Sequence, residues 1–268
     1  MYSFDDLREL MRYLRDPDHG CPWDLKQSYK TIAPHTLEEC FELVDAIESG
    51  DTDQICQELG DVLFQVVFYS QLAEEAGDFR FADAVDGIVK KLLRRHPHVF
   101  PEGLLQKPDG GRQLSETQIK HRWEQIKTEE RAEKAQNGVL DDIPLALPSL
   151  SRAQKLQKRA AGVGFDWSSS AGVLEKLDEE RRELADVLQS GTKERQAEEL
   201  GDLLFTVVNL ARHLELDAET LLRAANRKFE TRFRLMEATT GKTLSELDSS
   251  ALDVLWEQAK KHSDKTAS

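Results

Sequence analysis

Glu199-Leu200-Gly201-Asp202-Leu203-Leu204-Phe205-Thr206-Val207-Val208 has a near copy earlier in the chain, at residues 58–67, which read Glu-Leu-Gly-Asp-Val-Leu-Phe-Gln-Val-Val. The two stretches are 141 residues apart (199 − 58 = 141). In both, apolar side chains recur three and four residues apart, as on one face of an α-helix. An acidic motif repeats at the same offset, since Glu38, Glu39 and Glu42 recur as Glu179, Glu180 and Glu183. The chain is therefore interpreted as a duplicated helical unit.

Helical periodicity continues along almost the whole chain, and no alternating strand pattern stands out. It predicts an all-α protein with helices at about 3–15, 36–48, 53–76, 81–95, 115–135, 145–161, 171–189, 193–214, 217–238 and 250–262. A length of 268 residues accommodates two domains of ordinary size. We predict tandem helical-bundle domains at residues 1–140 and 141–268, because the helical pattern breaks around Asp141-Asp142-Ile143-Pro144.

Composition limits the partners and the compartment. A net charge of −14 repels phosphate backbones, so no nucleic-acid partner is expected. No apolar run approaches the roughly 20 residues that cross a bilayer, and residues 1–14 are charged and amphipathic, unlike a signal peptide. The protein is expected to be cytoplasmic, with no membrane partner. Cys21, Cys40 and Cys56 all lie in the first half without C-x-x-C spacing, which predicts reduced thiols rather than a disulfide framework or a zinc site.

The repeated carboxylates have the spacing of a metal site. Glu180 and Glu183 share one helix face, and Glu199 and Asp202 share a face of the next helix. If two short-linked antiparallel helices bring these faces together, four carboxylates converge inside a bundle. An all-oxygen cluster suits Mg²⁺ or Mn²⁺ far better than Zn²⁺. We expect Mg²⁺, with Mn²⁺ able to substitute, and a phosphorylated substrate, because bound Mg²⁺ commonly contacts substrate phosphates.

Two other interpretations of the carboxylates are weaker. An isolated E-E-x-x-E motif is usually a solvated face, but here E-x-x-D begins 16 residues after the last Glu in both halves (58 − 42 = 199 − 183 = 16). A di-iron bundle would need Glu-x-x-His pairs, and neither half has one. The matching acidic set of the first half consists of Glu38, Glu39, Glu42, Glu58 and Asp61.

Basic and aromatic residues also repeat, although with smaller offsets. Lys228 and Arg232 are four residues apart on one helix face and are suited to binding phosphates, although such a pair is often a solvated stripe. Trp256 and Lys260 have the same spacing, although a core Trp beside a surface Lys is a common arrangement. The recurrence of both pairs in the first half favours a function. The counterparts there are Lys91, Arg95, Trp123 and Lys127.

Further motifs are distributed along the whole chain. They are Gly20-Cys21-Pro22-Trp23-Asp24, Thr36-Leu37-Glu38-Glu39, Glu58-Leu59-Gly60-Asp61, Arg94-Arg95-His96-Pro97-His98-Val99-Phe100, Trp123-Glu124-Gln125-Ile126-Lys127, Gly164-Phe165-Asp166-Trp167 and Asn226-x-Lys228-Phe229. As a set, they resemble the MazG family of nucleoside triphosphate pyrophosphohydrolases in its long, two-domain bacterial form. The resemblance implies all-α bundles, usually homodimeric, that need Mg²⁺. It also implies hydrolysis of nucleoside triphosphates to monophosphate and pyrophosphate, with broad tolerance for the base.

The resemblance also implies roles for residues of the second half. The implied metal ligands are Glu180, Glu183, Glu199 and Asp202. The implied catalytic residues are Glu179, which orients or deprotonates the attacking water, Glu180, Lys228 and Arg232. The implied substrate-binding residues are Lys176, Asn226, Lys228, Arg232, Trp256 and Lys260. The implied chemistry is in-line attack of water on the α-phosphorus, with metal ions and cationic side chains offsetting the developing charge.

The first half departs from the family pattern at two of these positions. His35 stands where Lys176 stands, and Val89 stands where Asn226 stands. We therefore hypothesise that the second half is the main catalytic centre, while the first half binds metal or nucleotide weakly, regulates, or supports assembly. The alternative function is a non-catalytic helical regulator that binds nucleotides or a protein, although the intact carboxylates of both halves argue against it.

Overall fold

The computed structural model describes residues 1–106, 114–133, 138–241 and 243–266. Within these ranges it contains ten α-helices and no β-strand, which confirms the all-α class. The helices are α1 (Phe4–Leu14), α2 (Tyr29–Ser49), α3 (Thr52–Ala76), α4 (Phe81–Arg95), α5 (Glu116–Glu133), α6 (Ser149–Ala161), α7 (Ser170–Ser190), α8 (Lys193–His213), α9 (Ala218–Thr239) and α10 (Ser249–Thr266). None of the described helices combines the length and the hydropathy that a membrane span needs.

Each predicted helix is present, and the largest difference in a boundary is at the start of α2. This helix begins at Tyr29, seven residues before the predicted start (36 − 29 = 7). The backbone N–H of Ser28 donates to Thr31 Oγ1 at 2.8 Å, and Ser28 Oγ accepts from the backbone N–H of Thr31 at 3.4 Å. This capping box stabilises the first turn. The prediction was wrong there because Pro34, which disfavours a helix interior, lies inside α2.

One other predicted helix starts later than expected, and another extends beyond the described residues. The helix predicted at 145–161 begins at Ser149, directly after Pro148, four residues later than expected (149 − 145 = 4). Pro148 stands at the N-cap with ψ 141°, which is an extended conformation outside the helix. Residues 134–135 of the helix predicted at 115–135 lie outside the described residues.

The chain divides into two compact units, Met1–Thr128 and Glu129–Ser268. The predicted boundary between residues 140 and 141 stays a prediction. In the first unit α2 packs along α3, and α1 and α4 also contact α3. Its buried core consists of Met11, Ile32, Val67, Phe68 and Leu72. Of the three cysteines, Cys40 and Cys56 are exposed and Cys21 is half-buried, all as free thiols.

The second unit repeats the central helix pair of the first. Here α7 packs along α8, α10 packs along α9, and α6 contacts both α8 and α9. The turn into α8 is short, and Thr192 caps the helix by accepting a hydrogen bond from the backbone N–H of Arg195 at 3.4 Å. At the matching place in the first unit, Asp51 caps α3 by accepting from Gln54 at 3.1 Å. The two hairpins, α2–α3 and α7–α8, therefore hold the repeated acidic motifs on neighbouring helices.

Helix α8 also has an exposed apolar stripe, which we define as Leu200, Leu204 and Val207. These residues are 48%, 55% and 47% exposed, and their spacing places them on one face. Helix α3 has the same exposed stripe at the positions 141 residues earlier. Its members are Leu59, Leu63 and Val66.

Candidate metal centre and substrate pocket

The α7–α8 hairpin brings three predicted metal ligands together. Glu180 of α7 and Glu199 and Asp202 of α8 each offer one carboxylate oxygen, and these oxygens lie within 4.8 Å of one another. Glu180 and Glu199 are only 4% and 6% exposed, whereas Asp202 is exposed. We call these three residues the second-half cluster. It is open to solvent on the side of Asp202 and enclosed on the side of the two glutamates.

One oxygen of Glu180 is in an unusual position. Its Oε1 lies 2.7 Å from Nζ of Lys176, but its Oε2 is buried and has no hydrogen-bond partner in the described part of the chain. Buried polar atoms are almost always paired, because an unpaired one loses its hydration without compensation. A cation would supply the missing partner. Since the donors are all carboxylate oxygens, the residues fit Mg²⁺ or Mn²⁺.

Two other predicted residues of α7 lie beside the cluster. Glu183 is exposed and is not among the three residues whose oxygens lie within 4.8 Å, so its role as a fourth ligand stays a prediction. Glu179 Oε1 accepts a hydrogen bond from Nζ of Lys176 at 2.8 Å. This bond holds the pKa of Glu179 below its usual value, and bonds to Glu179 and Glu180 raise the pKa of Lys176. Glu179 is therefore an anion next to the candidate metal ligands.

Arg195 is a neighbour of the cluster that the sequence analysis did not identify. Its Nη2 lies 2.9 Å from Glu199 Oε1, and its Nη1 lies 3.4 Å from Glu198 Oε2. The spacing of four residues between Arg195 and Glu199 is that of a helical ion pair, so a signal was present in the sequence. Together with Lys176, Arg195 gives each of the two buried glutamates a cationic partner.

The first half forms a matching group from the α2–α3 hairpin. Glu39, Glu58 and Asp61 offer carboxylate oxygens within 4.8 Å of one another, and we call them the first-half cluster. Burial raises the pKa of Glu39, and the charges of Asp61, Glu42, Glu58 and Glu38 raise it further. The pKa of Glu58 is raised by burial, then by Glu42 and Asp61. The other four predicted acidic residues of this half therefore all lie close enough to act on Glu39.

Basic residues surround the first-half cluster differently. His35, at the position of Lys176, has its Nδ1 3.6 Å from Oε2 of Glu38, which corresponds to Glu179 rather than to Glu180. Gln54 occupies the position of Arg195 (195 − 141 = 54). The two halves therefore share their carboxylates but differ in the cations beside them.

The predicted basic and aromatic pocket residues form a second group on α9 and α10. Arg232 Cζ lies 6.0 Å from the ring centroid of Trp256, and the ring of Phe229 lies 5.4 Å from the same ring. In the first unit, Arg95 Cζ lies 5.7 Å from the ring centroid of Trp123. This cation–π contact therefore occurs in both halves, which supports the pairing of these residues in the duplication.

For the remaining predicted pocket residues, the contacts within the described ranges do not assign a role. Asn226 and Lys228 are exposed on α9. Lys260 Nζ lies 2.6 Å from Oε1 of Glu257, on its own helix. Their contacts with substrate stay predictions.

Asp166 holds the segment before α7 against the end of α8. It accepts hydrogen bonds from Arg212 Nη1 at 3.0 Å and is 3.0 Å from His213 Nε2, and a second nitrogen of Arg212 also reaches it. Arg212 Nε donates to Asn209 Oδ1 at 2.9 Å. Burial acts to raise the pKa of Asp166, but the bonds from Arg212 and His213 outweigh it and lower the pKa. This network, which we call the Asp166 network, fixes the start of the hairpin that carries the second-half cluster.

Comparison with known proteins gives a consistent result. The MazG nucleotide pyrophosphohydrolase domain matches residues 27–100 and 168–234, one segment in each half. The chain is 48% identical over 266 residues to the nucleoside triphosphate pyrophosphohydrolase of Escherichia coli K12, covering 97% of this chain and 98% of that protein. It is 42% identical to the nucleoside triphosphate pyrophosphohydrolase/pyrophosphatase MazG of Thermotoga maritima, covering 96% and 95%. The chain belongs to the MazG nucleotide pyrophosphohydrolase family.

Proposed function

We propose that this protein hydrolyses ribo- and deoxyribonucleoside triphosphates to nucleoside monophosphate and pyrophosphate, with Mg²⁺ as its cofactor and Mn²⁺ able to replace it. The observation that carries the proposal is the second-half cluster, in which the buried oxygen Glu180 Oε2 lacks a partner among the residues that the structure describes. The proteins from Escherichia coli and Thermotoga maritima that match nearly the whole chain bear the name of this activity. Clearance of unwanted nucleotides in the cytoplasm is the role that fits such a reaction.

The residues of the second half have different roles in this reaction. Glu180, Glu199 and Asp202 hold the metal, with Glu183 as a further ligand. Bound Mg²⁺ supplies positive charge that offsets the charge on the phosphate oxygens. Glu179 accepts the proton of the water that attacks the α-phosphorus, as the bond from that phosphorus to the bridging oxygen breaks and pyrophosphate leaves.

Cationic side chains bind the triphosphate and stabilise its transition state. Lys176, Lys228, Arg232 and Lys260 contact the phosphates, where they offset the charge that develops on the departing pyrophosphate. Asn226 and Trp256 complete the pocket. Every base has a π-face that can stack on an aromatic ring. Stacking on Trp256 would therefore accept different bases, in agreement with broad base specificity.

We also propose that the protein is a homodimer whose interface includes the apolar stripe of α8. Apolar stripes of this kind are unusual on a surface that meets only water, and they commonly mark a protein contact. Replacing Leu204 with Glu would place a charge in the middle of the stripe. Sedimentation velocity should show a dimer for the intact chain and a larger monomer fraction for Leu204→Glu, whereas a monomer in both cases would contradict the proposal.

The reaction is tested by phosphorus NMR of the products formed from a mixed nucleoside triphosphate pool with Mg²⁺. Glu180→Gln and Glu39→Gln form a matched pair, because the two positions correspond in the repeat. We expect pyrophosphate and monophosphate from the intact chain and from Glu39→Gln, and neither from Glu180→Gln. Loss in Glu39→Gln alone would move catalysis to the first half. Orthophosphate with diphosphate would mean β,γ cleavage, and nucleotide binding without product would favour the regulator.

A further inference from the structure

Two of the three carboxylates in the second-half cluster are bound by cations of the chain itself. Lys176 Nζ lies 2.7 Å from Oε1 of Glu180, and Arg195 Nη2 lies 2.9 Å from Oε1 of Glu199. Glu180 and Glu199 are both more than nine-tenths buried. A buried carboxylate without a counter-charge is costly, so these cations stabilise the hairpin when no metal is bound. They also neutralise carboxylates whose negative charge would otherwise attract a metal ion.

A second observation points to a ligand that the chain does not supply. Glu180 is 4% exposed, and its Oε2 is buried without a hydrogen-bond partner from the described residues, even though Oε1 is bound by Lys176. Lys176 therefore satisfies one oxygen of this carboxylate and leaves the other unsatisfied. A divalent ion at Glu180 would bring a second positive charge close to the ammonium group, and the two cations would repel each other.

The first half provides a natural comparison. It has the same three carboxylates, but His35 reaches Glu38 rather than Glu39, at 3.6 Å. Gln54, which carries no charge, stands where Arg195 stands in the second half. A metal ion that enters the first-half cluster therefore does not have to displace the equivalents of Lys176 and Arg195.

We propose that Lys176 and Arg195 are internal cations that compete with the metal for the second-half cluster, and that Lys176 moves to the triphosphate when metal and nucleotide bind. The release of Lys176 makes the two ligands cooperative, because the metal frees the ammonium group that the phosphates then bind. The first half, without these cations, binds metal alone more tightly, which replaces the weak metal binding hypothesised from the sequence. The role of the triphosphate rests on the proposed function, whereas the competition with metal does not.

The first experiment is a titration with Mn²⁺ alone, followed by electron paramagnetic resonance of the free ion. The first half is disabled by Glu39→Gln and Glu58→Gln, so that only the second-half cluster binds. In this background Lys176→Met should lower the Kd for Mn²⁺ about tenfold, because a nearby like charge is removed. Lys90→Met, which removes the same charge from an exposed pair with Asp86 in the first unit, should leave the Kd unchanged. An unchanged or higher Kd in Lys176→Met would overturn the proposal.

The reverse exchange tests the same idea in the first half and does not depend on the folding of Lys176→Met. Here the second half is disabled by Glu180→Gln and Glu199→Gln. His35→Lys together with Gln54→Arg should raise the Kd for Mn²⁺ about tenfold, because the two new cations compete with it. Unchanged Mn²⁺ binding in this variant would overturn the competition, whatever the result in the second half.

Cooperativity is measured with a nucleoside triphosphate whose α,β-bridging oxygen is replaced by CH₂, so that it is not cleaved there. In the protein with only the second half active, Mn²⁺ should tighten binding of this analogue, and the analogue should tighten binding of Mn²⁺ by the same factor. In Lys176→Met, the factor by which each ligand tightens binding of the other should fall several-fold, while Mn²⁺ alone binds more tightly. Equal cooperativity in both proteins would refute the movement of Lys176 to the phosphates. Because none of these three titrations measures turnover, an absence of hydrolysis would reject the proposed function and leave the competition intact.

Discussion

Replacing Asp166 with Asn should destabilise the second unit by about 2 kcal/mol, because hydrogen bonds between charged groups contribute about 1.5–3 kcal/mol and a charge left unpaired adds to the loss. The Asn side chain keeps the shape of Asp166 but loses its charge. Arg212, whose side chain is only 15% exposed, would then lack its anionic partner. The measurement is urea unfolding at pH 7 and 25 °C, followed by circular dichroism.

The same variant should respond to pH in a defined direction. Because the pKa of Asp166 is lowered in the folded protein, its contribution to stability is complete above the ordinary pKa of Asp, about 4. The contribution is lost as the pH falls through the lowered value. The difference in the free energy of unfolding between the intact chain and Asp166→Asn should therefore be largest from about pH 5 to 7. It should shrink below about pH 4.

Glu230→Gln is the control for this prediction. Glu230 pairs with Arg234 at 3.4 Å on the surface of α9, and both side chains are well exposed. Loss of such a pair should change the free energy of unfolding by less than about 0.5 kcal/mol. The reasoning about the Asp166 network would be refuted if Asp166→Asn lost no more unfolding free energy at pH 7 than Glu230→Gln. It would also be refuted if the loss in Asp166→Asn were as large at about pH 3 as at pH 7.

Three further predictions concern the cofactor, the pocket and the first unit. Removal of divalent ions with EDTA should abolish pyrophosphate release, and added Mg²⁺ or Mn²⁺ should restore it; turnover that survives EDTA would count against a metal centre. Trp256→Leu should raise KM for ATP about tenfold, since base stacking contributes about 1–3 kcal/mol, and equal effects from the matched Trp123→Leu would contradict this assignment. Ser28→Ala should cost about 1 kcal/mol in thermal unfolding, because it removes the cap of α2, whereas an unchanged midpoint would show that the cap is dispensable.

Sequence periodicity predicted the helices well, because each depends on side chains close together in the chain. The start of α2 was missed since the signals conflicted: Ser28 favours a helix start, whereas Pro34 disfavours a helix interior. In the structure α2 starts directly after Ser28 and includes Pro34. At the start of α6 the apolar pattern ran through Pro148, and the proline set the boundary instead.

The acidic clusters were predictable for the same local reason. Glu199 and Asp202 share a face through their spacing of three residues, and the repeat marked this spacing as meaningful. By contrast, the bond between Asp166 and Arg212 joins residues 46 apart, and no local pattern indicates such a contact. Glu183 is not a member of the second-half cluster. Its distance from the cluster depends on how α7 is rotated about its axis against α8, and helical periodicity does not specify this rotation in such detail.

The exposed thiols offer a way to observe one repeat without the other. Cys40 follows Glu39 on α2, and Cys56 lies two residues before Glu58 on α3, whereas the matching positions of the second half hold Arg181 and Ala197. With Cys21 changed to Ser, a thiol-reactive fluorophore would label only the α2–α3 hairpin. Mn²⁺ is paramagnetic and quenches nearby fluorescence, so the emission of such a label would report directly how much of the first-half cluster is occupied.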